Sequence, residues 1–154
     1  FGVCLSDKKL TSPLSDSSAL VNKFVENHFA QKIENYIKEI NIEKPKILFC
    51  GITYKKGSWL LEESHSFKII LSSLKKIACE VLLFDEGAND IKIYSSIWKK
   101  HEGQFQNLSE DMESLLESNP DIIFLSRPID TQDRQLLNIY CKNNSDIYLI
   151  DLTN

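Results

Sequence analysis

Two periodicities divide the chain near Pro45. Before it, Val21, Val25, Phe29, Ile33, Tyr36 or Ile37, and Ile40 recur every three to four residues. That spacing puts one apolar stripe on one helical face. Asp16, Ser17 and Ser18 offer side-chain caps at its start, and Asn41 and Pro45 end it. The pattern predicts a helix over Ser17–Ile40, long for a small α/β domain. The polar, turn-rich stretch 5–16, with Pro13 inside it, reads as loop or tail.

After Pro45 the pattern becomes a series of short apolar runs alternating with amphipathic segments. KILFCG, EVLLFD, DIIFLS and IYLIDL each carry a strand-sized apolar run, as buried parallel strands do. QFQNLS predicts a short further strand. Phe67, Ile70, Leu71, Leu74 and Ile77 follow at helical spacing, with Glu62 and Glu63 placed for a first turn. Ser109 caps a segment carrying Met112, Leu115 and Leu116, and Asp130 or Thr131 opens one carrying Leu136, Leu137 and Tyr140. Residues 86–103 fit either a short helix or a bent extended piece. Strands alternating with amphipathic helices specify an α/β fold. We expect a Rossmann-like, doubly wound, mostly parallel sheet of five or six strands, preceded by the long helix.

Bulk composition narrows the function classes. A net charge of −4 over 154 residues argues against a nucleic-acid partner, which requires a basic face. The longest apolar runs fall far short of the roughly 20 residues that span a bilayer, so no membrane partner is expected. Cys4, Cys50, Cys79 and Cys141 form no CxxC pair and have no nearby His at ligand spacing. No metal site is expected. Cys50, Cys79 and Cys141 read as reduced, mostly buried thiols, with the cytoplasm as compartment.

The loop after the first strand is where such folds bind nucleotides. A dinucleotide site needs GxGxxG there, because backbone must approach the pyrophosphate. This chain offers only Gly51 and Gly57, with Ile52, Tyr54 and Trp59 around them. Lys55 and Lys56 either meet phosphates as point charges or are two solvated lysines. Asp85, ending the second strand, is either a ribose-binding acid or a turn-forming strand end. His28, His65 and His101 are scattered and read as surface residues.

Several short motifs, in order, resemble the C-terminal part of the UDP-glucose/GDP-mannose dehydrogenase family. The resemblance covers nearly the whole chain. FGVCLSDK aligns with the family's GG-S-C-[FL]-P-K-D stretch through Gly2, Cys4 and Leu5. Asn27 sits on the long helix, as an Asn does on the family's central dimer helix. GITYK gives Gly51, Tyr54 and Lys55 against G-x-x-Y-K, and Glu63 and Ser64 align with R-E-S-P. Phe84-Asp85-Glu86 stands for Y-D-P, and Asp151-Leu152-Thr153-Asn154 for D-x-R-N. The departures are Ser6-Asp7-Lys8 for P-K-D, Glu62 and Thr153 for two arginines, and Trp59 and Leu60 for acidic loop residues.

The resemblance implies an NAD-dependent oxidation of a nucleotide sugar, a UDP-sugar above all, from the C6 alcohol to the uronate. Cys4 would be the nucleophile carrying the thiohemiacetal and thioester. Gly2, Leu5, Asn27, Tyr54, Lys55, Glu63 and Ser64 would contact substrate. NAD would be held by an amino-terminal domain preceding Phe1, with no cofactor in this chain, which alone would catalyse nothing. The implied organisation is a cysteine segment (1–16), a linking and homodimer-forming helix (17–44) and a nucleotide-sugar-binding domain (45–154). The alternative is a non-catalytic, degenerate α/β binding or dimerisation module.

Overall fold

The computed structural model describes residues 13–153, with side chains from residue 17 onward except that of Lys76. Helix α1 runs from Pro13 to Ile40, starting four residues before the position expected from its polar caps. Proline is well tolerated in a helix first turn, where its missing N–H has no intrahelical partner. Asn41, at φ 55°, takes the left-handed conformation that ends helices.

Five strands follow, β1 (Lys46–Cys50), β2 (Glu80–Phe84), β3 (Asn107–Ser109), β4 (Ile122–Leu125) and β5 (Tyr148–Asp151). They form one sheet in the order β3-β2-β1-β4-β5. Every pairing is parallel, with Ile47 opposite both Val81 and Ile122. The fold is therefore mixed α/β with an all-parallel sheet, as the alternating pattern predicts.

Between the strands lie α2 (His65–Ser73), α3 (Ala88–Tyr94), α4 (Ser96–His101), α5 (Met112–Glu117) and α6 (Thr131–Asn143). The ambiguous stretch 86–103 is thus two short helices, broken where Ser95 turns extended and caps α4 through the Trp98 amide. Two helix starts differ from expectation. Glu62 and Glu63 precede α2 and do not lie in its first turn, which holds no acid and is capped by Ser64. Asp111, not Ser109, caps α5, because Ser109 is drawn into β3.

The strand period of two divides the core into two layers. Ile47, Phe49, Val81, Leu83, Ile122 and Phe124 face α1, α2, α3 and α4. Leu48, Cys50, Leu82, Phe84, Ile123 and Leu125 face α5 and α6. Phe49 and Phe124 stack across β1 and β4 with centroids 5.0 Å apart. The stripe on α1 divides in the same way. Ala30, Ile33 and Ile37 are buried, whereas Leu20, Val21, Phe24 and Val25 are exposed, Phe24 at 71%. His65 Nδ1 lies 2.7 Å from Glu26 Oε1 and ties α1 to α2.

Ile33→Ala is expected to destabilise the domain by about 2–5 kcal/mol, because it opens a cavity under the sheet. Phe24→Ser should leave the urea midpoint within experimental error at concentrations dilute enough to keep the chain monomeric. Equal effects of the two would show that α1 does not divide into a packed and an open half.

Candidate functional site

The carboxyl ends of the strands converge on one buried carboxylate. Asp85, directly after β2, is fully buried. Its Oδ2 accepts hydrogen bonds from the Ile52 and Thr53 amides, each 2.9 Å, and from Thr53 Oγ1 at 2.9 Å. Its Oδ1 accepts from the Gly87 amide at 3.0 Å. Arg127, in the loop after β4, reaches Asp85 Oδ2 at 3.2 Å and also ion-pairs with Glu86. Burial opposes the guanidinium charge, but the Glu86 hydrogen bond and the Asp85 charge outweigh it, and the Arg127 pKa is raised. Of the two open readings of Asp85, ribose acid or strand end, the geometry selects the second. Its oxygens are occupied by the protein's own backbone and by Arg127.

The sheet order reverses between β1 and β4, the place where open α/β sheets bind ligands. Here that crevice holds the stem of Arg127. A Cβ on Gly51, whose φ is +82°, would stand 2.6 Å from Arg127 Cγ. The glycine thus admits an arginine side chain, where a dinucleotide site would admit a pyrophosphate. Sequence reasoning passed over Arg127. Only two arginines occur in the chain, Arg127 and Arg134, and Arg127 follows the apolar run that becomes β4. That scarcity was the available signal. Arg134 reaches Asp151 Oδ2 at 3.3 Å.

The loop from Gly51 to Ser64 is fixed along its length. The Ser58 amide donates to the Lys55 carbonyl at 3.2 Å, and Gly57 has the φ of +71° that such a turn needs at its third residue. Lys56 donates to Asp130 Oδ1 at 2.7 Å, a contact that raises its pKa. A Cβ on Gly87 would approach the Ser58 carbonyl oxygen to 2.9 Å, so the turn rests directly on glycine backbone. Beyond it, Trp59 packs on Tyr94 with centroids 5.9 Å apart and rings tilted by 53°. Ser96 Oγ donates to Glu62 Oε1 at 3.2 Å, while the buried Glu62 Oε2 has no hydrogen-bond partner.

The residues singled out from sequence fall into different places. Tyr54 and Lys55 project from this loop into solvent, Tyr54 at 68% exposure. Among the described residues Lys55 has no side-chain partner. Glu63 is exposed. Ser64 is fully buried, donating to the Ile52 carbonyl and accepting from the Phe67 amide at 3.1 Å. Both hydroxyl functions are therefore structural. Asn27 is exposed on α1. A turn away, Asn22 lines a cavity of about 260 Å³ with Val25, Phe29, His65, Ile69 and Ser126. Cys4, Gly2 and Leu5 lie outside the described residues.

The remaining chemistry is accounted for locally. Cys50, Cys79 and Cys141 are free thiols. Burial pushes the Cys50 thiol far up, with Asp133 and Glu86 adding to the effect, and burial raises the other two. None of the three is a ready thiolate nucleophile. Glu86, Asp130 and Asp133 bring carboxylate oxygens within 4.8 Å of one another. Arg127 and Lys56 already neutralise two of them, and Asp133, raised by burial and by Glu86 and Asp130, is the third. Among the described residues no helix is long and apolar enough to cross a membrane. No known protein family, curated protein or solved structure matches the chain.

Asp85→Ala is expected to destabilise the protein by about 3–5 kcal/mol in urea unfolding, since it leaves buried amides and Arg127 without their carboxylate. Asp151 provides a pH test. The Thr153 hydroxyl chiefly, then its amide and Arg134, hold the Asp151 carboxyl below its ordinary value. A depressed folded pKa gives stability that is present above the unfolded value and lost as pH falls through the folded one. Thermal midpoints should therefore drop below about pH 4, and less steeply in Asp151→Asn.

Proposed function

We propose that this chain is the nucleotide-sugar-binding domain of an NAD-dependent nucleotide-sugar 6-dehydrogenase of the UDP-glucose/GDP-mannose dehydrogenase type. The observation that carries this reading is the fixed loop after β1, which holds Tyr54 and Lys55 in solvent at the carboxyl end of the sheet. A preorganised loop presents a ring, a hydroxyl and an unpaired ammonium with little ordering left to do on binding. Phosphate is the natural counterpart of such an ammonium. An open site of this kind suits a ligand shared with a second domain. The Arg127 stem beside Gly51 supports placing NAD on that other domain. In this reading Cys4 supplies the nucleophile, and the remaining catalytic groups come from outside the chain. Reduced thiols suit the cytoplasm.

The same reading makes the open half of α1 a homodimer contact. Leu20, Val21, Phe24 and Val25 form an exposed apolar stripe over two turns, which a second copy would cover. Light scattering at high micromolar concentration should report a dimer, and Phe24→Asp a monomer.

A second reading, a non-catalytic and degenerate α/β module, is favoured by Glu62. Where the family carries Arg, this chain holds a carboxylate tied to Ser96, with one buried oxygen unpartnered. Arg127 and Arg134 cannot substitute, since both are engaged by carboxylates. Calorimetric titration separates the readings. The proposal expects weak UDP and UDP-glucose binding, no NAD binding, and tighter UDP binding in Glu62→Arg, as removal of a repelling charge requires. Tight NAD binding overturns the domain assignment. Absence of nucleotide binding even in Glu62→Arg selects the second reading.

A further inference from the structure

We infer that the exposed Trp59–Tyr94 pair is the platform on which the base of a nucleoside diphosphate stacks while Lys55 meets its phosphates. The inference rests on reading the loop after β1 as a nucleotide site, and it adds the part of the ligand that charge alone does not recognise. The chain has two tryptophans. Trp98 is core, 5% exposed and stacked on Phe105 with centroids 5.7 Å apart. Trp59 is 39% exposed and its partner Tyr94 60%. Both rings are exposed, and they lie against each other on the surface.

The pair is held in position, not left to solvent. The Ser58 carbonyl rests on Gly87 at the entry to α3, which carries Tyr94. Ser58 Oγ accepts from the Leu60 amide at 3.2 Å, and Glu62 is tied to Ser96 just beyond Tyr94. Trp59 is thus anchored on both sides of its own position. A stacking surface fixed beforehand loses little entropy when a planar ring lies on it. The chemistry on either side of the turn is complementary to one ligand class. Lys55 opens the turn that Ser58 closes, and Trp59 follows directly. An unpaired ammonium and an aromatic face at one end of the sheet match a phosphate and a base joined by a ribose. Inorganic phosphate would use only the first, and a neutral sugar only the second.

Titrations with UDP, uridine and inorganic pyrophosphate test this, by calorimetry and by tryptophan emission. UDP should quench emission. Trp59→Ala and Tyr94→Ala should each weaken UDP about tenfold while leaving pyrophosphate unchanged. Trp59→Phe, which keeps a stacking face, should retain most of the affinity. Lys55→Ala should weaken UDP and pyrophosphate alike. UDP binding that falls in Lys55→Ala but is unchanged in Trp59→Ala and Tyr94→Ala overturns the stacking platform and leaves the nucleotide reading standing. Pyrophosphate bound as tightly as UDP does the same. Failure of both the unmodified chain and Glu62→Arg to bind UDP overturns both.

Discussion

The Asp85 carboxylate is the constraint on which the working end of this molecule depends. A charge buried completely must be compensated many times over, and here the compensation fixes the architecture. The amides of Ile52 and Thr53 turn inward to reach it, which sets the path of the loop after β1. The amide of Gly87 does the same from the start of α3. Arg127 crosses from the end of β4 to balance the charge. One carboxylate thereby joins the ends of β1, β2 and β4, and whatever the loop presents outward is a consequence of what it does inward.

That arrangement also separates two uses of one fold. The strand order and the reversal between β1 and β4 are those of a Rossmann-like sheet. The acid that could grip a ribose grips backbone instead, and the glycine that could admit a pyrophosphate admits an arginine. The vacancy at the switch point is filled from within. In the proposed reading, ligand chemistry is displaced outward, to the rim formed by Tyr54, Lys55 and the Trp59–Tyr94 pair.

The fold was readable because burial and periodicity coincide. Continuous apolar runs such as Ile122–Leu125 have no exposed face, and the structure buries every residue of them. The stretch 86–103 was not readable. Its apolar residues serve two helices of seven and six residues, too short for a helical period to establish itself. Glu62, Glu63 and Ser109 were misplaced as helix starters because several capping residues compete within three positions, and tertiary contacts decide among them. Ser64 and Asp111 win because their side chains accept from the first-turn amides of α2 and α5. At the candidate site, the exposure of Tyr54 and Lys55 followed from their loop position. The partnership of Asp85 with residues more than thirty positions away, and of Arg127 with Asp85, is long-range pairing that no local spacing encodes.

The division of α1 has a kinetic counterpart. Amide hydrogens around Ile33 and Ile37 belong to a segment packed on the sheet, so their exchange with solvent requires the domain itself to open. Those around Leu20 and Phe24 belong to helix whose apolar side none of the described residues covers, and local fraying of a turn or two is enough to release them. A single continuous helix therefore spans the whole range from sub-global to global protection. Covering its open half with any surface would convert that gradient into uniform slow exchange, without moving a residue of the sheet.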